Sequence, residues 1–151
     1  MKLADASDTI VREITIDAPA ERIFEALTNP EQRLKWWGAE GLYRGTHMES
    51  DLRPGGKWIT RGIGREGKRF TVQGTYREIK RPRLLVFTWL PDWDAEPLES
   101  LVRFDLEEHG GVTTVRLTHS GLTTESSRAH HQGWPRVLGW LQAYVEERAS
   151  D

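Results

Sequence analysis

Residues 130–148 read HHQGWPRVLGWLQAYVEER. Within this stretch Trp134, Val137, Leu138, Leu141 and Val145 follow the spacing i, i+3, i+4, i+7 and i+11, the apolar stripe of an amphipathic helix. Trp140 and Tyr144 fall on a flank of that stripe. Thr123 or Thr124 is a suitable cap, so the helix is expected to begin upstream of Gly133. Pro135 would then remove a helical hydrogen bond and clash with the carbonyl of residue 131. A kink or short break over 133–135 follows. Such a stripe must be buried against something, and the fold turns on what the preceding residues supply.

Upstream, residues 10–17 (IVREITID) alternate, with Ile10, Ile14 and Ile16 in one phase, and predict a half-buried strand. APAERIFEALTNP follows, with Pro19 suited to the first helical position, Glu21 to the first turn, and an Ile23/Leu27 pair on one face. Pro30 stops this helix near Asn29. A second short helix, PEQRLKWW, runs to Gly38. Residues 38–47 (GAEGLYRGTH) read as a glycine-containing loop. Strands are then expected at MESDL, GKWITRGIG, RFTVQGTYREIK, RLLVFTWL, SLVRFDLEE and VTTVRLTHS, separated by the turns RPGG, REGK and HGG and the loop PDWDAEPLE. RLLVFTWL is apolar in both phases, as a central strand can be. Its inward pair is therefore open between Phe87 with Trp89 and Val86 with Thr88. Gly74 marks a bulge or a close backbone approach. Consecutive strands joined by tight turns, with helices segregated at the two ends, imply an α+β domain built on an antiparallel sheet.

A chain of 151 residues fits one domain, 1–151, with a proper core. A net charge of −2 gives no field favouring nucleic acid. No apolar run is long enough for membrane insertion. The start, MKLADASDTI, has no hydrophobic block of a secretory signal. The absence of cysteine excludes disulfides and thiolate chemistry and is compatible with a cytoplasmic location. Seven tryptophans supply unusually large, stiff apolar area.

Four segments, IDAPAERIFEALTNPEQRLKWW (16–37), DLRPGGKW (51–58), GTYREIKRPRLLVFTW (74–89) and HHQGWPRVLGWLQAYV (130–145), occur in an order that resembles the START-like (SRPBCC, birch-pollen-allergen-like) superfamily. Within it they resemble the branch related to the C-terminal domain of the heat-shock-protein-90 ATPase activator. The resemblance implies a helix-grip: a curved antiparallel sheet wrapped around a long C-terminal helix, with two short helices after the first strand. It also implies a cavity between sheet and helix.

The residues expected around that cavity are Trp36, Trp37, Trp58, Phe70, Val72, Phe87, Trp89, Val102, Phe104, Leu117, His119, Trp134, Leu138 and Leu141. The expected occupant is a hydrophobic small molecule, lipid-like, aromatic or polyketide-like, held without a cofactor. A chaperone or other protein partner is the alternative that the resemblance implies. His119, in phase with Val115 and Leu117, is the one candidate acid/base for an enzyme of the cyclase or hydratase kind. The adjacent His130 and His131 diverge on a helix, so no metal site is expected, and they should lie near solvent. Arg61, Arg77, Arg103 and Arg116 belong to the outer sheet face, with Glu13, Asp105 and Glu107 as partners. The MESDL strand is a candidate exposed edge for a dimer contact.

Overall fold

The computed structural model describes residues 8–39, 42–93 and 98–149, with the backbone alone for 130, 148 and 149. Residues 1–7 of the segment read as lacking a secretory signal, residues 40–41 and 94–97 of the two expected loops, and the His130 side chain lie outside it.

Strand β1 (Ile10–Ile16) leads into α1 (Ala20–Thr28) and α2 (Pro30–Trp36). Pro19 caps α1 rather than opening it, and α1 buries Ile23, Phe24 and Leu27. Asn29 separates the two helices because its extended backbone ends α1 while its side chain accepts the Gln32 N–H at the start of α2. Seven further strands follow: β2 (Gly38–Ala39), β3 (Tyr43–Ser50), β4 (Lys57–Ile63), β5 (Arg69–Lys80), β6 (Leu84–Pro91), β7 (Ser100–His109) and β8 (Val112–Ser120). The chain closes with α3 (Glu125–His130) and α4 (Trp134–Ala149).

All strands form one antiparallel sheet in the order β1-β8-β7-β6-β5-β4-β3-β2. The meander from β2 to β8 follows chain order, and β1 returns to pair with β8. This is a curved half-barrel gripping the C-terminal helix. The β7–β8 turn is two residues long, Gly110 and Gly111, both at positive φ. That backbone matches the strand twist and suits glycine at both positions.

The structure changes several expectations. Residues 43–47 are strand rather than loop, because β3 starts at Tyr43 and pairs with β4 across a register shift between Gly45 and His47. Residues 48–50 of MESDL are therefore the end of a longer strand, and Asp51 and Leu52 lie beyond it. β2 covers β3 only at Tyr43 and Arg44, and the sheet's terminal strands are β1 and β2. Gly74 is a close approach rather than a bulge: a Cβ there would collide with the Thr88 carbonyl on β6. The β5 register shift lies further on, between Tyr76 and Glu78.

β6 is buried on both faces for most of its length. Leu85, Phe87 and Trp89 join the core. Val86 on the other face lies between Glu78 of β5 and Arg103 of β7, whose aliphatic stems can cover it. The outer face carries Arg61, Arg77, Arg103 and Arg116, all exposed. Arg103 pairs with Asp105, and Arg116 with Glu13. Glu107 takes His109 instead of an arginine.

The C-terminal helix is in two pieces. Thr124 and Ser127 form a reciprocal cap at the start of α3. The break occupies 131–133, and α4 restarts at Trp134. Pro135 thus falls in the first turn of a new helix, where its missing N–H is not needed. Val137, Leu138, Leu141 and Val145 are buried in the grip. Gln142 donates to the Thr15 carbonyl, and Glu146 accepts the Asp17 N–H, which tethers α4 to the end of β1.

Candidate functional site

Between sheet and helix most of the space is filled. Trp58, Val72, Phe87, Val102, Phe104, Leu117, Leu138 and Leu141 pack into one core with Trp36, whose indole N–H donates to the Ala26 carbonyl at 2.8 Å. A void of about 10 Å³ lies beside Leu85, Phe87 and Phe104. Toward one end the packing opens into a pocket of about 640 Å³.

Four parts of the chain surround this pocket. One is Trp37, Leu42 and Tyr43, between α2 and β3. The second is the β4–β5 turn from Gly64 to Phe70. The third is the α3–α4 junction, with His131, Trp134, Arg136 and Val137; Trp89, Asp92 and Trp93 at the end of β6 complete the wall. Of the residues expected around a cavity, Trp37, Phe70, Trp89 and Trp134 line this pocket, and the others lie behind it in the core.

The lining aromatics form a connected belt. Tyr43 meets Trp37 at 5.2 Å between ring centroids, and Trp37 meets Phe70 at 5.9 Å. Phe70 meets Trp93 at 5.8 Å, Trp93 meets Trp89 at 6.2 Å, and Trp89 meets Trp134 at 5.7 Å. Tilted and edge-to-face pairs of this kind hold one another's ring planes. Burial raises the Tyr43 phenol above its ordinary pKa, so it stays neutral. Trp140, on the flank of α4, packs edge-on to Tyr43 at 5.7 Å.

Two buried histidines pack on the belt, His131 within the pocket wall and His119 behind it. An indole nitrogen can only donate, so each tryptophan fixes the tautomer of the histidine it touches. Trp134 Nε1 donates to His119 Nδ1 at 3.0 Å, which leaves the proton on Nε2, where it faces Ser100 Oγ at 2.7 Å. Trp89 Nε1 donates to His131 Nε2 at 3.0 Å, and His131 Nδ1 donates to the Ser127 carbonyl at 2.6 Å. The two imidazoles are 4.8 Å apart. His119 is 0% exposed. Burial, followed by the neighbouring His131, pushes its pKa down to about 3. His119 is therefore a neutral imidazole with both nitrogens engaged behind the pocket wall.

His131 is buried rather than near solvent. Its position, three residues before Trp134 and seven before Leu138, falls on the inward face of the C-terminal helical stretch, and its ring meets Trp89. Among the described residues no group of three or more His, Asp or Glu side chains is arranged to hold a metal ion.

Arg33 is a second unusual group. It is buried in α2, with its guanidinium carbon 5.2 Å from the Trp37 ring centroid, 5.8 Å from Trp58 and 6.0 Å from Trp36. Desolvation pushes it down to about 10, so it is still charged at neutral pH. The aromatic faces supply cation–π contacts. Among the described residues its Nε has no hydrogen-bond partner, and neither do Trp58 Nε1 and Thr60 Oγ1.

Sequence pattern did not point to Tyr43, Arg65, Lys68, Arg69, Asp92, Trp93 or Arg136 as pocket residues. All lie in or beside turns and first helical positions, where periodicity is silent. The only available signal was an aromatic residue, Trp93, in a polar loop.

A half-barrel sheet closed on a C-terminal helix, with an aromatic pocket at one end of the grip, defines a START-like, or SRPBCC, protein. The chain belongs to the family described as activator of Hsp90 ATPase homolog 1-like protein, whose model matches residues 17–146. Its fold is similar to that of protein CV1439 from Chromobacterium violaceum, with a TM-score of 0.82 and 23% identity, over 92% of this chain and 97% of that one. Protein NE0264 from Nitrosomonas europaea gives a TM-score of 0.80 and 21% identity, over 97% and 99%. The AHSA1-like protein from Aeromonas hydrophila gives 0.76 and 22%, over 95% of each. At these identities the likeness is one of fold. No curated protein matches the chain significantly.

Proposed function

We propose that the protein binds a hydrophobic or aromatic small molecule in the pocket between the β4–β5 turn and the α3–α4 junction. The observation that carries this reading is the aromatic belt around about 640 Å³ of open space. That volume suits a drug-sized ligand, and apolar walls with few polar groups are typical of such sites. Its binding energy would come from burying apolar area, about 25 cal/mol per Å² before the costs of association.

A thermal-shift screen over aromatic and aliphatic ligands, with native mass spectrometry of the purified protein, tests it. A pocket ligand should raise the melting temperature, since binding only the native state at 100 times Kd stabilises by about 2.7 kcal/mol. Phe70→Ala should weaken that ligand. A panel without any such ligand, or an affinity unchanged in Phe70→Ala, would remove the reading. An acid/base role for His119 has less support, because both ring nitrogens are already hydrogen-bonded. The family match favours a second reading, a protein-interaction module for a chaperone or client. A pull-down with purified heat-shock-protein-90 checks it directly.

A further inference from the structure

We infer that the pocket selects an anionic amphiphile, an apolar body carrying one acidic head group, with the head held at the pocket rim. The inference rests on the small-molecule reading above and specifies its ligand. Four of the lining residues are cationic: Arg65, Lys68 and Arg69 from the β4–β5 turn and Arg136 from the first turn of α4. Among the described residues the only carboxylate in the lining is Asp92, and its Oδ1 already accepts the Thr71 N–H at 2.9 Å. The chain as a whole is negative, at −2, so this local excess of positive charge runs against the global sign. Among the described residues none of the four cations has an ion-pair partner. Arg136 lies against the Trp140 ring at 5.5 Å, a contact that keeps the guanidinium beside the mouth.

The floor places the head group. The Trp89 and Trp134 indole N–H groups are already given to His131 and His119. The tryptophans on the floor therefore offer ring faces without free donors. An apolar body can lie on them at no polar cost, whereas a polar head buried there would lose water without replacement. The four cations supply charged donors. Guanidinium groups match a carboxylate, sulfonate or phosphate in a two-pronged geometry. One exposed cation does little in water, but several converging on a site with an apolar floor act together.

Two dyes with the same aromatic frame separate this inference from the reading beneath it. They are 1-anilinonaphthalene-8-sulfonate and the neutral N-phenyl-1-naphthylamine, titrated by fluorescence at low salt, at 0.5 M NaCl and with a R65Q/K68Q/R136Q protein. Binding of the neutral dye reports the apolar pocket, and its retention in the triple variant shows that the pocket is intact. The sulfonate is expected to bind on the order of tenfold more tightly to the unmodified protein, relative to the neutral dye, than to the triple variant. High salt should erase most of that preference. Displacement of the neutral dye by decanoate against decanol, and by 2-naphthoate against 2-naphthol, distinguishes an alkyl from an aromatic body; preference for either acid supports the inference. Equal sulfonate-to-neutral ratios in the two proteins, or neutral competitors as effective as the acids, would overturn it while leaving the small-molecule reading standing. Failure of both dyes and all competitors to bind would defeat both.

Discussion

Acidification should unfold this protein earlier than its carboxylates require, and His119 is the reason. Its pKa is about 3 in the native state, against 6.5 for a free imidazole. Between those values the unfolded chain takes up a proton that the native chain refuses. The native state thus binds fewer protons, and stability falls as pH drops below about 6.5. The slope is about 1.4 kcal/mol per pH unit within the window. From pH 8 to pH 4.5 the loss from this one group amounts to about 2.7 kcal/mol, and it would continue to grow until pH approaches 3. The cause is geometric as well as dielectric: a proton on Nδ1 would point at the Trp134 N–H only 3.0 Å away. Urea unfolding at pH 8, 6.5, 5.5 and 4.5 measures the effect for the wild-type chain and for His119→Gln, which offers an amide donor and acceptor without titrating. Whatever His119→Gln costs at pH 8, its stability should decline less by about 2.7 kcal/mol at pH 4.5, with m-values unchanged. Parallel pH profiles for the two proteins would refute the argument and mean that His119 titrates in the folded protein.

Other perturbations read different parts of the structure. Trp134→Ala removes a ring that packs on Trp89, Phe104 and His119, and should cost about 3–5 kcal/mol in chemical denaturation; it should also weaken any pocket ligand. Arg33→Met replaces a buried guanidinium whose Nε lacks a partner, so stability at pH 7 should hold or rise. Gly74→Ala drives a methyl group into the Thr88 carbonyl and should lower stability by about 1–3 kcal/mol, read as a drop in melting temperature. Stoichiometric zinc should leave the melting temperature unchanged, since His131 has both ring nitrogens in hydrogen bonds; a stabilisation lost in His131→Ala would contradict this.

Much of the architecture was legible in the chain because it depends on local periodicity. The alternation in β1, β5, β7 and β8, the stop at Asn29 before Pro30, and the apolar stripe of α4 are patterns a few residues long. Each reports which face of an element will be buried. Local chemistry also announced a break in the C-terminal helix, although the turn came at 131–133 so that Pro135 could occupy a first turn. Other features depend on partners distant in sequence. β3 is a strand from Tyr43 because β4 lies beside it, and no alternation in GAEGLYRGTH reveals that. Phe87 faces inward because the register sets it opposite Tyr76 of β5 and Val102 of β7, both core residues, and Trp89 shares its phase, whereas the apolar residues of β6 allow either phase. The pocket depends most on tertiary structure. Phase alone made Val72, Val102 and Leu117 as eligible for a cavity wall as Phe70, but packing volume decides which of them the core consumes. The basic rim comes from a turn and a first helical turn that meet only when the sheet closes on α4. The two tryptophan–histidine bonds span 15 and 42 residues of chain, so residue identity could suggest such pairs but only folding selects them.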